Sequence, residues 1–164
     1  MPSGTPYKQS IMANTYTQIH IHAVFAVKNR QSLIKNSWKD DLYRYITGII
    51  QNQNHKVLQI NGMPDHVHIL FGMRPTQSLS ELMKFVKQDS SRWINQNAFI
   101  NGRFSWQAGF GAFSYSKSDI SRVIRYIQHQ EEHHKTASFQ EEYLKLLSDF
   151  NIDYDQRYIF KPIE

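Results

Sequence analysis

The stretch that most constrains how this chain can fold runs from His55 to Met73. Two runs rich in Val, Ile, Leu and Phe flank Gly62-Met63-Pro64-Asp65, a tight-turn sequence. They read as strands over His55–Met63 and His66–Met73, joined as an antiparallel hairpin around which the rest must pack. An earlier run, Tyr16 to Val27, has the β-branched and aromatic composition of a strand. Ser37 with Asp40 resembles a capping box and predicts a helix to about Asn54, with Leu42, Tyr45, Ile46, Ile49 and Ile50 as its buried stripe. Ser78 and Glu81 open a second helix to about Asn97. Phe104 to Ser116 is a glycine-punctuated aromatic segment that reads as extended. Ser118 or Asp119 caps a third helix reaching roughly His134, and Ser138 with Glu141 starts a last one to about Asp149. The order β-α-β-β-α-β-α-α predicts an α+β, ferredoxin-like fold: an antiparallel sheet with helices packed mainly on one face.

The 164 residues suit one domain over 15–150, with a polar tail before it (1–14) and a C-terminal extension after it (151–164). A 40% hydrophobic, 13% aromatic composition is that of a folded protein. The absence of cysteine excludes disulfides and thiolate metal sites. No apolar stretch approaches the roughly 20 residues of a membrane span and no signal-peptide pattern opens the chain, so a cytoplasmic location without a membrane partner is expected. The net charge of +5 and pI near 9.4 fit a polyanionic partner.

Two motifs carry chemistry. His66 and His68 alternate on one strand, so their imidazoles share a face, about 7 Å apart at the Cα atoms. Val67, Ile69 and Phe71 point the other way, into the core. Two imidazoles on an open sheet face can share a divalent ion, although one chance His-x-His is ordinary among eight histidines, and His20-Ile21-His22 is a second copy. His66 and His68 directly follow the turn, where loop residues can reach them. His20 and His22 lie mid-strand, where one of them could support the site from behind or contact a phosphate, and Asp65 could orient a ligand imidazole or merely cap the turn.

On the third helix, Ile120, Val123, Ile124 and Ile127 form the apolar stripe, and Arg122, Tyr126, Gln130 and His133 follow one another along its flank. A phenol there is either a nucleophile beside a metal or one of nine tyrosines packing its ring at a boundary. Tyr115 is the rival nucleophile, and His129, His133 and His134 are rival ligands.

Together, Pro64-Asp65-His66-Val67-His68-Ile69-Leu70, the Trp106-Gln107-x-Gly-Phe-Gly-Ala-Phe segment and Arg125-Tyr126-Ile127-x-x-Gln130 resemble the single-tyrosine HUH transposases of the insertion sequence 200/605 group, which include the REP-associated tyrosine transposases. The opening strand, with His22-Ala-Val-Phe and Lys28-x-Arg30, resembles that family as well, and the likeness spans about Thr15 to His134. It implies a ferredoxin-like homodimer that cuts and rejoins single-stranded DNA bearing hairpin ends. Tyr126 would be the nucleophile that forms a 5′-phosphotyrosine link, and His66, His68 and Gln130 the ligands of Mg²⁺ or Mn²⁺. It also implies that each active site can pair the histidines of one subunit with the tyrosine helix of the other. Lys28, Arg30, Lys84, Lys87 and Arg92 are candidate phosphate contacts, with Arg122 and Arg125 beside the nucleophile. Trp106, Phe110 and Phe113 could stack on unpaired bases. The competing functions are a hairpin-DNA-binding protein that does not cut and a ferredoxin-like RNA endonuclease.

Overall fold

A computed structural model of the protein describes residues 15–155. The tail expected over 1–14, and the part of the expected extension beyond 155, lie outside those residues. Strands β1 (His20–Ala26), β2 (Lys56–Met63), β3 (His66–Gly72) and β4 (Gly111–Tyr115) form one sheet in the order β2-β3-β1-β4. Every pairing in it is antiparallel. Helix α1 (Lys39–Asn52) links β1 to β2, and α2 (Leu79–Gln96) links β3 to β4. After β4 come α3 (Ile120–Gln128), α4 (Gln130–His133) and α5 (Phe139–Asp149). The first six of these elements make the split βαβ arrangement expected of a ferredoxin-like fold.

The hairpin is set by its turn. Gly62 pairs with Val67 and Met63 with His66, leaving Pro64-Asp65 at the tip. Gly62 has no room for a side chain, because a Cβ there would lie 2.2 Å from the His66 carbonyl oxygen. The ferredoxin layer forms as expected: Ala23, Phe25, Val67, Ile69 and Phe71 face α1 and α2 and pack on Leu42, Ile46, Leu82 and Val86. Alternation sends His22, Val24, Ala26, His66, His68 and Leu70 to the opposite face.

That second face, expected to be open, is covered. Leu70 lies under Val123 and Ile127 of α3, while Val24, Ala26 and Phe113 lie under Phe139 and Leu147 of α5. The physical reason is that the central strands are apolar on both sides, so each side needs cover. The two long helices share one face as expected, and the short C-terminal helices close the other.

Local chemistry differs from expectation in four places. Ser37 and Asp40 do not make a capping box: α1 starts one turn beyond a bend in which Lys39 N–H donates to Lys35 O at 2.9 Å. Tyr43 rather than Tyr45 joins the core, and Tyr45 stacks outside on Trp93 at 4.8 Å between ring centres. The helix expected from Ser118 to His134 breaks at His129, because the Asn61 side chain on β2 donates to the Ile127 and Gln128 carbonyls at 3.0 and 3.2 Å and closes the end of α3. Asp119 stands at the start of α3 but makes no side-chain cap, because it pairs with Ser116, whereas the remaining two helix starts are capped by the serines expected there. Ser78 accepts from Glu81 N–H at 3.1 Å, and Ser138 with Glu141 makes a reciprocal capping box.

Candidate active site

The sheet face beneath α3, α4 and α5 carries a buried polar cluster in an otherwise apolar layer. His22, His66, His68 and Gln130 have no exposed surface, and Glu142 is 3% exposed. Buried polar side chains must find partners, and these find one another. His66 Nδ1 donates to Asp65 Oδ1 at 2.7 Å, and its Nε2 faces Gln130 Oε1 at 3.2 Å. His68 Nδ1 meets His22 Nε2 at 2.8 Å, and its Nε2 faces Glu142 Oε1 at 3.0 Å. His134 Nε2 lies 3.1 Å from both Gln130 Oε1 and Glu142 Oε1.

The nucleophile candidate belongs to the same cluster. Tyr126 donates its phenolic hydrogen to Glu142 Oε2. Gln130 Nε2 donates to that oxygen at 3.1 Å, and His133 Nε2 lies 3.4 Å from it. The sixty-residue separation between the His-x-His motif and the Tyr126/Gln130 pair is thus closed within one chain. The break at His129 takes part in this, since Gln130 starts a new turn that points inward.

Electrostatics follow from burial and from one carboxylate. Burial lowers the His66 imidazole, but hydrogen bonds to Asp65 and Glu142 outweigh it and raise the pKa to about 9. Burial holds His22 well below its ordinary value and lowers His68 against the pull of Glu142. Burial would raise the Glu142 carboxyl, yet His68, His134 and His66 hold it far below the usual carboxylate range. Burial, and then the Glu142 charge, push the Tyr126 phenol above its ordinary value. The cluster rests as an imidazolium–carboxylate pair with a neutral phenol beside it.

The donor set fits a divalent ion. One ligand atom from each of His66, His68, His134 and Glu142 can be chosen so that all lie within 4.8 Å of one another, and the Gln130 carboxamide oxygen points among them. Imidazole nitrogens with carboxylate and amide oxygens suit Mn²⁺ and, through the oxygens, Mg²⁺. A cleft of about 510 Å³ between α3 and α5 leads to the cluster, lined by Tyr115, Arg122, Tyr126, Glu142 and Phe150 among others.

The remaining sequence candidates fall in different places. Arg122 lies over the Tyr115 ring, 6.0 Å from its centre, at the cleft wall; Arg125 is exposed on α3. Lys28 is exposed beyond β1, and Arg30 reaches Gln140 of α5 at 3.3 Å. Lys84, Lys87 and Arg92 sit on α2, across the sheet from the cluster, and Lys87 Nζ donates to the Gln107 and Gly109 carbonyls at 2.7 and 2.6 Å. Trp106 and Phe113 are not free to stack on bases: both are buried, and Trp106 Nε1 donates to Ser90 Oγ at 2.9 Å. Phe110 is partly buried against the core. Tyr115 lines the cleft without a polar contact to the histidines.

Sequence reasoning missed Glu142. A signal was present: Phe139, Glu142 and Leu146 fall at three- and four-residue steps, so an acid interrupts the apolar stripe of α5. An unsolvated glutamate in such a stripe needs polar partners across the interface.

A split βαβ sheet with added C-terminal helices and a tyrosine held on a His/Gln/Glu cluster places the chain in the fold class of small transposases. A crystal structure of a Deinococcus radiodurans R1 protein described as a transposase superposes with a TM-score of 0.59 at 20% identity, covering 73% of this chain and 95% of that one. A REP-associated tyrosine transposase bound to a REP hairpin gives 0.57 at 14% identity, covering 75% and 73%. The sequence carries the assignment further. Residues 15–130 match the family described as transposase IS200 like, and the chain belongs to that family. It is 24% identical over 118 residues to the ISDra2 transposase TnpA of Deinococcus radiodurans, covering 69% of this chain and 84% of that one. It is 25% identical over 130 residues to the transposase of insertion sequence element IS200 from Salmonella typhimurium, covering 76% and 84%.

Proposed function

We propose that this transposase acts by metal-dependent cleavage and strand transfer of single-stranded DNA, with Tyr126 as nucleophile and His66, His68 and Gln130 as metal ligands. The observation that carries the proposal is the convergence of all four side chains on a single buried carboxylate, Glu142, with His66 the most distant at 3.4 Å. A bound Mg²⁺ or Mn²⁺ would polarise the scissile phosphate and stabilise the leaving oxygen. Asp65 fixes the His66 ring through Nδ1 and His22 fixes the His68 ring through its own Nε2, so both ligand Nε2 atoms face the same point. Tyr126 stands at the inner end of the cleft, where a DNA strand can present its phosphate, and Arg122 offers positive charge along the wall.

Attack forms a bond between the Tyr126 oxygen and phosphorus and breaks the bond to the 3′-oxygen, with the phenolic proton ending on that leaving oxygen, so that a 5′-phosphotyrosine and a 3′-hydroxyl result. A second 3′-hydroxyl reverses the exchange. One phosphodiester replaces another at each step, so strand transfer needs no outside energy source. The REP hairpin bound by the structural relative supports hairpin DNA as the substrate class, and the family supports a homodimer as the working state.

The test is a denaturing gel with labelled hairpin DNA, purified protein and Mn²⁺. Wild-type protein is expected to give a covalent protein–DNA band, and Tyr126→Phe to bind the same DNA without forming it. An undiminished adduct in Tyr126→Phe eliminates Tyr126. Metal-dependent RNA cleavage that survives Tyr126→Phe refutes the phosphotyrosine route.

A further inference from the structure

Glu142 lies beyond residues 15–130, the span that matches the family. We infer that Glu142 is itself a ligand of the divalent ion and, through its second carboxylate oxygen, the residue that holds Tyr126 beside that ion. The inference rests on the metal-dependent reading of the site above.

Three observations carry it. The first is the division of labour between the two oxygens. Oε1 faces the imidazoles, at 3.0 Å from His68, 3.1 Å from His134 and 3.4 Å from His66. Oε2 faces the nucleophile side, taking hydrogen bonds from Tyr126 and Gln130. One carboxylate therefore sits between the metal-binding donors and the attacking group, where a bridging ligand belongs.

The second is the spread of donors. Atoms bound to one ion at about 2.1 Å lie roughly 3–4 Å apart, and the four donor atoms here fall within 4.8 Å of one another. Closing round an ion takes small side-chain shifts and no backbone rearrangement. A carboxylate also suits the chemistry: Mg²⁺ and Mn²⁺ prefer hard oxygen donors, which two imidazoles and an amide supply sparingly.

The third is that α5 is built into the fold at this position. Its start is fixed by the Ser138–Glu141 capping box. Phe139 stacks on the His66 ring with centres 4.2 Å apart. Tyr143 packs so closely on β4 that a Cβ on Gly111 would lie 2.7 Å from its ring. A helix with a fixed start, seated on His66 at one residue and on β4 at another, delivers its acid to one place. Without an ion, the imidazoles of His66, His68, His133 and His134 and one phenol surround that acid; with one bound, the carboxylate would keep Tyr126 while the ion took the place of protons on the ligand nitrogens.

Mn²⁺ binding to the full chain tests this, by titration calorimetry and by the loss of the free-ion resonance signal, with melting in EDTA as the folding control. Glu142→Gln keeps the shape and the Tyr126 hydrogen bond but weakens the oxygen donor, so affinity should fall roughly 10- to 100-fold. Glu142→Asp, which keeps the charge, should retain more affinity than the amide at equal or lower melting temperature. Tyr126→Phe should bind Mn²⁺ as the parent does. Parent-like affinity in Glu142→Gln, together with loss of binding in His68→Ala, overturns the Glu142 assignment and leaves the histidine site standing. Equal losses in Glu142→Gln and Glu142→Asp that follow their melting temperatures also overturn it, since a purely structural acid behaves so. No Mn²⁺ binding by the parent overturns the metal reading itself.

Discussion

Gly62→Ala is the substitution whose consequence can be worked most directly from the structure. A methyl at Gly62 would lie 2.2 Å from the His66 carbonyl oxygen, 3.0 Å from Val67 Cα and 3.1 Å from His66 carbonyl carbon. All three are backbone atoms of the strand that carries both candidate ligands, so no side chain can swing aside. Restoring ordinary contact requires the two strands to part by about 1 Å at the turn, a strain of roughly 3 kcal/mol. For a protein of this size each kcal/mol moves the melting temperature by roughly 2–4 °C, so a drop of roughly 6–12 °C is expected in EDTA. The displaced His66 should also weaken Mn²⁺ binding by roughly tenfold or more. Gly48 is the control. It lies inside α1, and a methyl added there would meet nothing within 4 Å, so Gly48→Ala should stabilise by roughly 0.5–1 kcal/mol. Thermal melts of both variants, with a Mn²⁺ titration of the first, decide the matter. A Gly62→Ala protein that melts within about 1 °C of the parent and binds Mn²⁺ equally well would refute the link between the tight hairpin and the site.

Buried groups give two further predictions. Ser90→Ala leaves the Trp106 indole N–H without its partner on a buried helix face, and chemical denaturation should show a loss of roughly 1–3 kcal/mol; a loss near zero would mean the indole finds another acceptor. In EDTA the protein should be most stable below pH 6.5 as far as His66 is concerned, and should lose that share as pH rises through about 9. The sign follows because the folded state binds the His66 proton more tightly than the unfolded one, a difference of about 3 kcal/mol at most. Asp65→Asn should flatten the slope between those pH values, and a slope unchanged in that variant would remove Asp65 as the cause.

The strands and the hairpin between β2 and β3 were legible because their signals are local. The turn at Pro64-Asp65, the Ser78 cap and the Ser138–Glu141 capping box each act within four residues, and each appears where its residues place it, although at Ser78 only the serine half of the expected box forms. What was not legible depends on contacts between distant segments. The break in the tyrosine helix comes from Asn61, sixty-six positions before Ile127, and nothing around His129 announces it. The burial of Trp106 and Phe113 reflects how β4 and the preceding loop dock on β1 and α2, which their glycine-rich context does not encode. Tyr126, Gln130, His66 and His68 could be named from motif and spacing, but the sequence left open whether they meet. Glu142 needed the tertiary structure because its meaning lies in what faces it across the interface.

How the two motifs meet also bears on which chain a tyrosine helix serves. Asn61 pairs with His68 across the hairpin, and the same Asn61 side chain closes the end of α3. The hairpin that carries the histidines therefore also holds the helix that carries Tyr126. Leu70, on the same strand and face, supplies the apolar floor for Val123 and Ile127. For α3 to serve the histidines of another copy, the hinge between β4 and α3 must swing it away. Two hydrogen bonds at Asn61 and the burial of Val123 and Ile127 must then be given up, on the order of 5 kcal/mol before any are remade. A homodimer that exchanged these helices would remake the same contacts between chains, so their sum would cancel. The cost would then fall on the hinge, the short 3₁₀ turn at Lys117–Asp119, where Ser116 Oγ donates to Asp119 Oδ2 at 3.3 Å. That turn, rather than the site itself, is where such an exchange would be decided.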